Sequence, residues 1–231
     1  MFMVLQGSKA RRIEGGDANY LAYSWNDGMA GYETGANDTG FMVLFPQNRG
    51  PGDVTDTGYD ITVVPQPQAS TVVFGIGLWQ AEADVNIYAD GALYETKEVS
   101  ADGTSQAYKY QIKVPAGVTL KLEVRQTKTL SQWGNMSFSG LAVGIVEDEV
   151  TLDVKQNLLS GDYAMNLSQI GDIDWLHMKG NGLNNFTQIK KAGSSSIAFN
   201  AYGTVDIEGK MNRGGRCKLF GIFLERRHGW L

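Results

Sequence analysis

Between residues 70 and 146 the chain alternates apolar and polar positions with a period of two. In "STVVFGIGLW" (70–79), Val72, Phe74, Ile76 and Leu78 fall on one side, and Val73, Gly75, Gly77 and Trp79 on the other. "DVNIYADGALYE" (84–95) sets Val85, Ile87 and Ala89 against Asn86 and Tyr88, and its Asp90-Gly91 pair is a hairpin turn signal. "AYKYQIKV" (107–114) and "VTLKLEVR" (118–125) repeat the alternation on either side of a Pro115-Ala116-Gly117 turn. Period two is the signature of strands with one dry and one wet face. "NMSFSGLAVGIV" (135–146) begins on even numbers with Met136 and Phe138, then continues on Leu141, Val143 and Ile145. A bulge at Ser139-Gly140 accounts for that slip. No long amphipathic helix is predicted anywhere in 70–146.

The pattern is weaker on both flanks. The N-terminal "MFMVLQ" reads as a strand, and residues 26–60 read as glycine- and asparagine-rich loops around one strand, "FMVLF" (41–45). Asp53, Asp56 and Asp60 lack the ligand spacing of a calcium loop, so they read as solvated turn carboxylates. After "EDE" (147–149) strand patterns resume in "VTLDVKQN" (150–157) and "YAMNLSQIGDIDWLHMKG" (163–180). "RRIEGGDANYLAY" (11–23) is echoed by "KKAGSSSIAFNAY" (190–202), which suggests a partial internal copy. The prediction is an all-β, antiparallel, jelly-roll-like β-sandwich that is either permuted or carries a partial second copy. Its principal domain is 1–146. Residues 150–209 form a partial second unit or completing strands, and 210–231 form a basic C-terminal tail.

Composition agrees: 29 glycines, 5 prolines and 10 tyrosines favour strands joined by tight turns. The net charge of -5 argues against a dedicated nucleic-acid binder, and the single "RGGR" (213–216) of the tail reads as solvated. One cysteine, Cys217, excludes an intrachain disulfide and any cysteine-rich zinc site. No apolar stretch is long enough for a signal peptide or a membrane span, so the expectation is a soluble chain; a segment of an exported cell-surface protein would read the same.

The densest chemistry lies in "GDIDWLHMKG" (171–180). Asp174 and His177 could form an acid–base pair, but no nucleophile elbow, no HExxH and no second metal-binding histidine accompanies them. A glycoside-active enzyme would need two facing carboxylates, and none can be paired from the sequence. The expectation is therefore no catalysis, no cofactor and no metal. Asp174, Trp175 and His177 read as a structural motif, with Trp175 plugging the sandwich and its neighbours satisfying buried backbone groups. For ligand binding, Trp25, Trp79, Tyr88 and Trp133 are the candidates, because flat rings stack on the C–H faces of sugars.

These segments also carry a family resemblance. "NLSQIGDIDWLHMKG" (166–180) resembles the Asp-Trp-x-His segment that opens a repeated β-sandwich module of bacterial surface proteins and large glycosidases. The module's basic-Gly turn corresponds to "IKKAG" (189–193), its YSWxDG segment to "YSWNDG" (23–28), and its strand ending in GLW to 72–91. A paired-strand close corresponds to 106–145. The matching stretches, most of 9–146 and 150–202, are in permuted order. Met178 replaces the usual Trp after the His, and the residues after 203 do not continue the pattern. Modules of this kind are of largely unassigned function, so the resemblance implies the sandwich fold first and, beyond it, an accessory role with a glycan as the partner to expect. The alternative is a structural or adhesive module that forms homo-oligomers through strand exchange; no nucleic-acid or membrane partner is expected.

Overall fold

The computed structural model describes residues 21–205, apart from 49, 104, 160–162 and 181–185. The expected N-terminal strand, most of the first echo segment, residues 206–209 and the basic tail lie outside the described residues.

The protein is an all-β sandwich. In chain order the strands are β1 (Leu21–Trp25), β2 (Gly35–Asp38), β3 (Met42–Phe45), β4 (Gly52–Asp53), β5 (Gly58–Val63), β6 (Ser70–Trp79), β7 (Ala81–Ala89), β8 (Ala92–Ala101) and β9 (Gln106–Val114). They continue as β10 (Leu120–Thr129), β11 (Asn135–Ile145), β12 (Asp153–Leu159), β13 (Tyr163–Asn166), β14 (Asp174–Gly180), β15 (Phe186–Lys190), β16 (Ile197–Tyr202) and β17 (Thr204–Val205). One helical turn, α1 (Leu167–Ile170), lies between β13 and β14. The large central sheet has the order β12-β9-β6-β11-β14-β15, with β3 on β11 and β17 on β3. The facing sheet runs β16-β5-β10-β7-β8, with β4 on β10. A small sheet, β13-β1-β2, makes a third layer. Among the described residues every pairing is antiparallel except β1 with β13. No helix among the described residues is long and apolar enough to cross a membrane.

The alternation places the main core. Val72, Phe74, Ile76 and Leu78 of β6 face Val85 and Ile87 of β7 and Leu120, Leu122 and Val124 of β10, all of them buried. The chain changes sheet between β6 and β7, where Gln80 takes a left-handed backbone with φ 44°. Asp90 and Gly91, at φ 49° and 83°, form the primed hairpin turn joining β7 to β8. The bulge on β11 is where the slip in phase predicts it, with the register to β6 shifting between Phe138 and Gly140.

Three expectations need correction. Residues 26–60 hold more than one strand: β5 is central to the facing sheet, paired with β10 and β16, and buries Tyr59, Ile61 and Val63. Its alternation is broken by Gly58 and by the buried Asp60. "YAMNLSQI" is not one strand, because Asn166 caps a helical turn with its side chain on the Gln169 N–H. The wet face of the central sheet is also largely dry. Val73, Ala142, Trp175 and Ile189 point outward from it and form a second core with Leu21, Tyr23 and Trp25 of the small sheet. Glycine makes that approach feasible: a Cβ on Gly140 would stand 2.6 Å from the Tyr23 ring, and one on Gly75 would overlap Leu21.

Residues 150–205 contribute strands to all three sheets of this single chain. β14 lies beside β11, β16 beside β5 and β13 beside β1. The echo segments take different places, since β1 belongs to the small sheet and β16 ends the facing one.

Candidate functional site

The motif on β14 divides between the two faces of its strand. Leu176 and Met178 enter the main core, while Trp175 and His177 point into the second. Asp174, 1% exposed, accepts the Trp175 N–H at 2.8 Å, the Ser194 hydroxyl at 2.9 Å and the Ser196 N–H at 2.9 Å. It is a backbone clamp for the turn after β15. Asp174 and His177 do not pair with each other, because residues three positions apart in a strand point to opposite faces.

The carboxylate facing His177 is Asp38, on β2, 139 residues away in sequence. His177 is fully buried; Nδ1 lies 2.8 Å from the Ser139 carbonyl and Nε2 lies 3.0 Å from Asp38 Oδ1. Both partners are acceptors, so satisfying both bonds takes an N–H on each nitrogen. The imidazole packs against Tyr23 and Trp25, with ring centroids 4.8 Å and 5.1 Å away. Lys179 also reaches Asp38, at 3.2 Å. Burial opposes the Asp38 charge, but His177, the Gly40 N–H and Lys179 outweigh it and hold the carboxyl below its ordinary range.

A second carboxylate repeats this arrangement. Asp27, from "YSWNDG", accepts the Trp175 indole N–H at 2.8 Å, pairs with Lys191 at 2.9 Å and takes the Ser168 hydroxyl. Burial again works against the charge, and Ser168, Lys191 and Trp175 together depress its pKa. The small-sheet segment thus grips β14 through two carboxylates, each holding one ring N–H and one lysine. The sequence pointed to Trp175 and His177 but not to Asp27, Asp38 or Ser139, whose only visible signal was the placing of Asp27 in "YSWNDG". The segments "YSWNDG" and "GDIDWLHMKG" meet at this contact.

The four aromatic candidates occupy three places. Trp25 is 3% exposed; its indole donates to the Tyr32 carbonyl at 2.9 Å and its ring lies 5.6 Å from that of Trp175. It has no open face, which corrects its reading as a ligand platform. Tyr88 lies on the outer face of the facing sheet, where its hydroxyl meets Glu123 at 3.3 Å and the Lys121 ammonium stands 5.9 Å from its ring. Trp79 and Trp133 share one end of the sandwich. Asn135 lies opposite Trp79 in the β6–β11 ladder, and the 130–134 turn folds over Gln80 through the Leu130 N–H bond to its carbonyl, 2.8 Å. Trp79 is half-buried and Trp133 is 50% exposed. From that end Tyr88 is about 23 Å away along β7.

Asp60 is not a turn carboxylate in water: it is 8% exposed, held by Arg125 and by Lys121 at 3.5 Å, and accepts the Tyr202 hydroxyl at 3.1 Å. Among the described residues no group of three His, Cys, Asp or Glu side chains could hold a metal ion.

The chain matches no family model, and no curated protein matches it significantly. One solved structure, described as the EclA C-terminal domain, a sugar-binding protein, is 15% identical over 52% of this chain and 89% of that chain, with a TM-score of 0.27. A likeness at that level carries no argument about this chain.

Proposed function

We propose that the protein is a non-catalytic carbohydrate-binding module whose ligand sits at the Trp79–Trp133 end of the sandwich. The observation that carries this reading is the placing of two partly exposed tryptophans, 54 residues apart in sequence, at one end of the sandwich, where Trp133 stands on a turn edged by Ser131, Gln132 and Asn135. Flat rings beside neutral amides and hydroxyls suit the C–H faces and hydroxyls of a sugar. The β14 motif supports the non-catalytic part of the reading, because each polar group of Asp174 and His177 is spent on holding the fold.

A glycan array followed by titration calorimetry tests it. Trp133→Ala and Trp79→Ala should each weaken binding of the selected glycan by roughly tenfold, about 1.4 kcal/mol, with unchanged thermal unfolding. Absence of binding to every glycan, or full affinity in both variants, would sink the proposal.

A further inference from the structure

The small sheet covers only part of the central sheet's outer face. Beyond it, across β9 and β12, lies a polar strip in three cross-strand rows: Lys113 opposite Asp153, Gln111 opposite Lys155, and Lys109 opposite Asn157. β13 walls the strip on one side through Tyr163, whose hydroxyl accepts from Lys109 and whose ring centroid lies 4.6 Å from that ammonium. Asp153 is the strip's one carboxylate against three lysines.

The other described cations are engaged. Lys179 and Lys191 hold Asp38 and Asp27; Lys121 and Arg125 hold Asp60. Lys97 pairs with Glu95, Lys128 with Glu82, and Lys190 donates to the Ile197 carbonyl. Among the described residues, Lys113 and Lys155 alone hold cations with neither an ion pair nor a hydrogen bond. They are diagonal neighbours on one face, about 7–8 Å apart at the Cβ level, with Lys109 about 13 Å along β9 from Lys113. Two unpaired ammonium groups side by side repel each other, and a chain of net charge -5 has carboxylates to spare for them.

We propose that this strip binds an anionic oligosaccharide, with acid groups on successive or alternate rings meeting Lys113, Lys155 and Lys109. Gln111 and Asn157 supply amides to the hydroxyls, and Tyr163 closes the side. The ligand class rests on the carbohydrate reading above; the location does not, since the strip lies farther along the outer face of the central sheet, its nearest lysine, Lys109, pairing with Gly75 about 13 Å along β6 from Trp79.

The test is calorimetry of the whole chain with an oligogalacturonate, a sulfated oligosaccharide of equal length and a neutral oligoglucan. A polyglutamate peptide and a single-stranded oligonucleotide serve as non-sugar anions. At least one acidic sugar should bind, with affinity falling as salt rises. The carboxylated and sulfated arms decide which acid group is preferred. The double variant Lys113→Gln/Lys155→Gln should lose tenfold or more, with unchanged thermal unfolding and no such loss in Lys97→Gln. The proposal is overturned if neither acidic sugar binds, if the double variant binds as tightly, or if polyglutamate or the oligonucleotide binds as well as the sugars. Loss in the lysine variant with full sugar affinity in Trp133→Ala and Trp79→Ala would sink the end-site reading alone.

Discussion

The two cores on either side of the central sheet are built by different rules. The main core, between the large sheets, is almost wholly aliphatic and aromatic, and ring contacts lie within it: Phe138 stacks on Phe199 at 4.7 Å, and Phe74 on Tyr110 at 4.7 Å. The second core, under the small sheet, is a few aromatics around polar contacts: His177 with Asp38, Trp175 with Asp27, and the Tyr23 hydroxyl with Ser139 at 2.7 Å. Apolar burial is non-directional and tolerates many partners. Hydrogen-bonded buried charge demands one partner in one place, and is costly when that partner is lost. The main core therefore supplies bulk stability, while the second fixes where the small sheet sits.

The largest effect expected from that contrast is in the main core. Phe138→Ala removes a fully buried ring packed on Tyr59 and Phe199, and should cost about 3–5 kcal/mol. Loss of secondary structure and loss of the near-ultraviolet dichroism of the buried Tyr59 and Tyr110 should shift together in a urea titration, because the two large sheets unfold as one unit. Separate transitions would show that the sheets are not one cooperative unit.

Asp38→Asn strikes the second core and should behave differently. It removes the charge facing His177 and Lys179, at a cost of about 1.5–3 kcal/mol. The expected sign is a red shift of the emission from Trp25 and Trp175 with far-ultraviolet dichroism retained, as the small sheet loosens from a standing sandwich. Acid should do the same to the native chain. Asp38 and Asp27 have depressed pKa values in the fold, so each adds stability above the ordinary carboxylate value, about 3.9, and that stability is lost as the pH falls through the lower folded value. Emission should therefore shift in acid before the dichroism falls, and Asp38→Asn should shrink that shift. An equal acid shift in the variant would remove Asp38 from the explanation.

The same contrast explains what the sequence could be made to show. Strands β6, β7, β9, β10 and β11 were legible because side chains two apart face one core, a local rule that needs no distant partner. The bulge was legible too, as a change of phase at Gly140. The strand β5 was not, because Gly58 and Asp60 answer to partners in β10 and β16: a Cβ at Gly58 would overlap the Val124 carbonyl, and Asp60 is held by Arg125. Nor was the third layer, because Val73 and Ala142 are covered by Leu21, Tyr23 and Trp25, which come from a distant part of the chain. Trp175 and His177 were visible as unusual residues, but their partners Asp27 and Asp38 stand 148 and 139 positions away. Nothing local marks one aspartate in a glycine-rich stretch as the one that meets a buried histidine.

The smallest effect probes polar flaws of the main core. Tyr59 and Tyr110 are fully buried, and neither hydroxyl has a hydrogen-bond partner among the described residues. Burial raises both phenol pKa values, so the groups stay neutral and their cost is that of an unsatisfied hydroxyl rather than of a charge. Tyr110→Phe keeps the stack on Phe74 and deletes only the oxygen, so it should leave stability unchanged or raise it by up to about 1 kcal/mol. Thermal unfolding of the variant against the native chain reads this directly. A loss of stability would mean that the hydroxyl is bonded after all, and that the main core, like the second, depends on a specific polar contact.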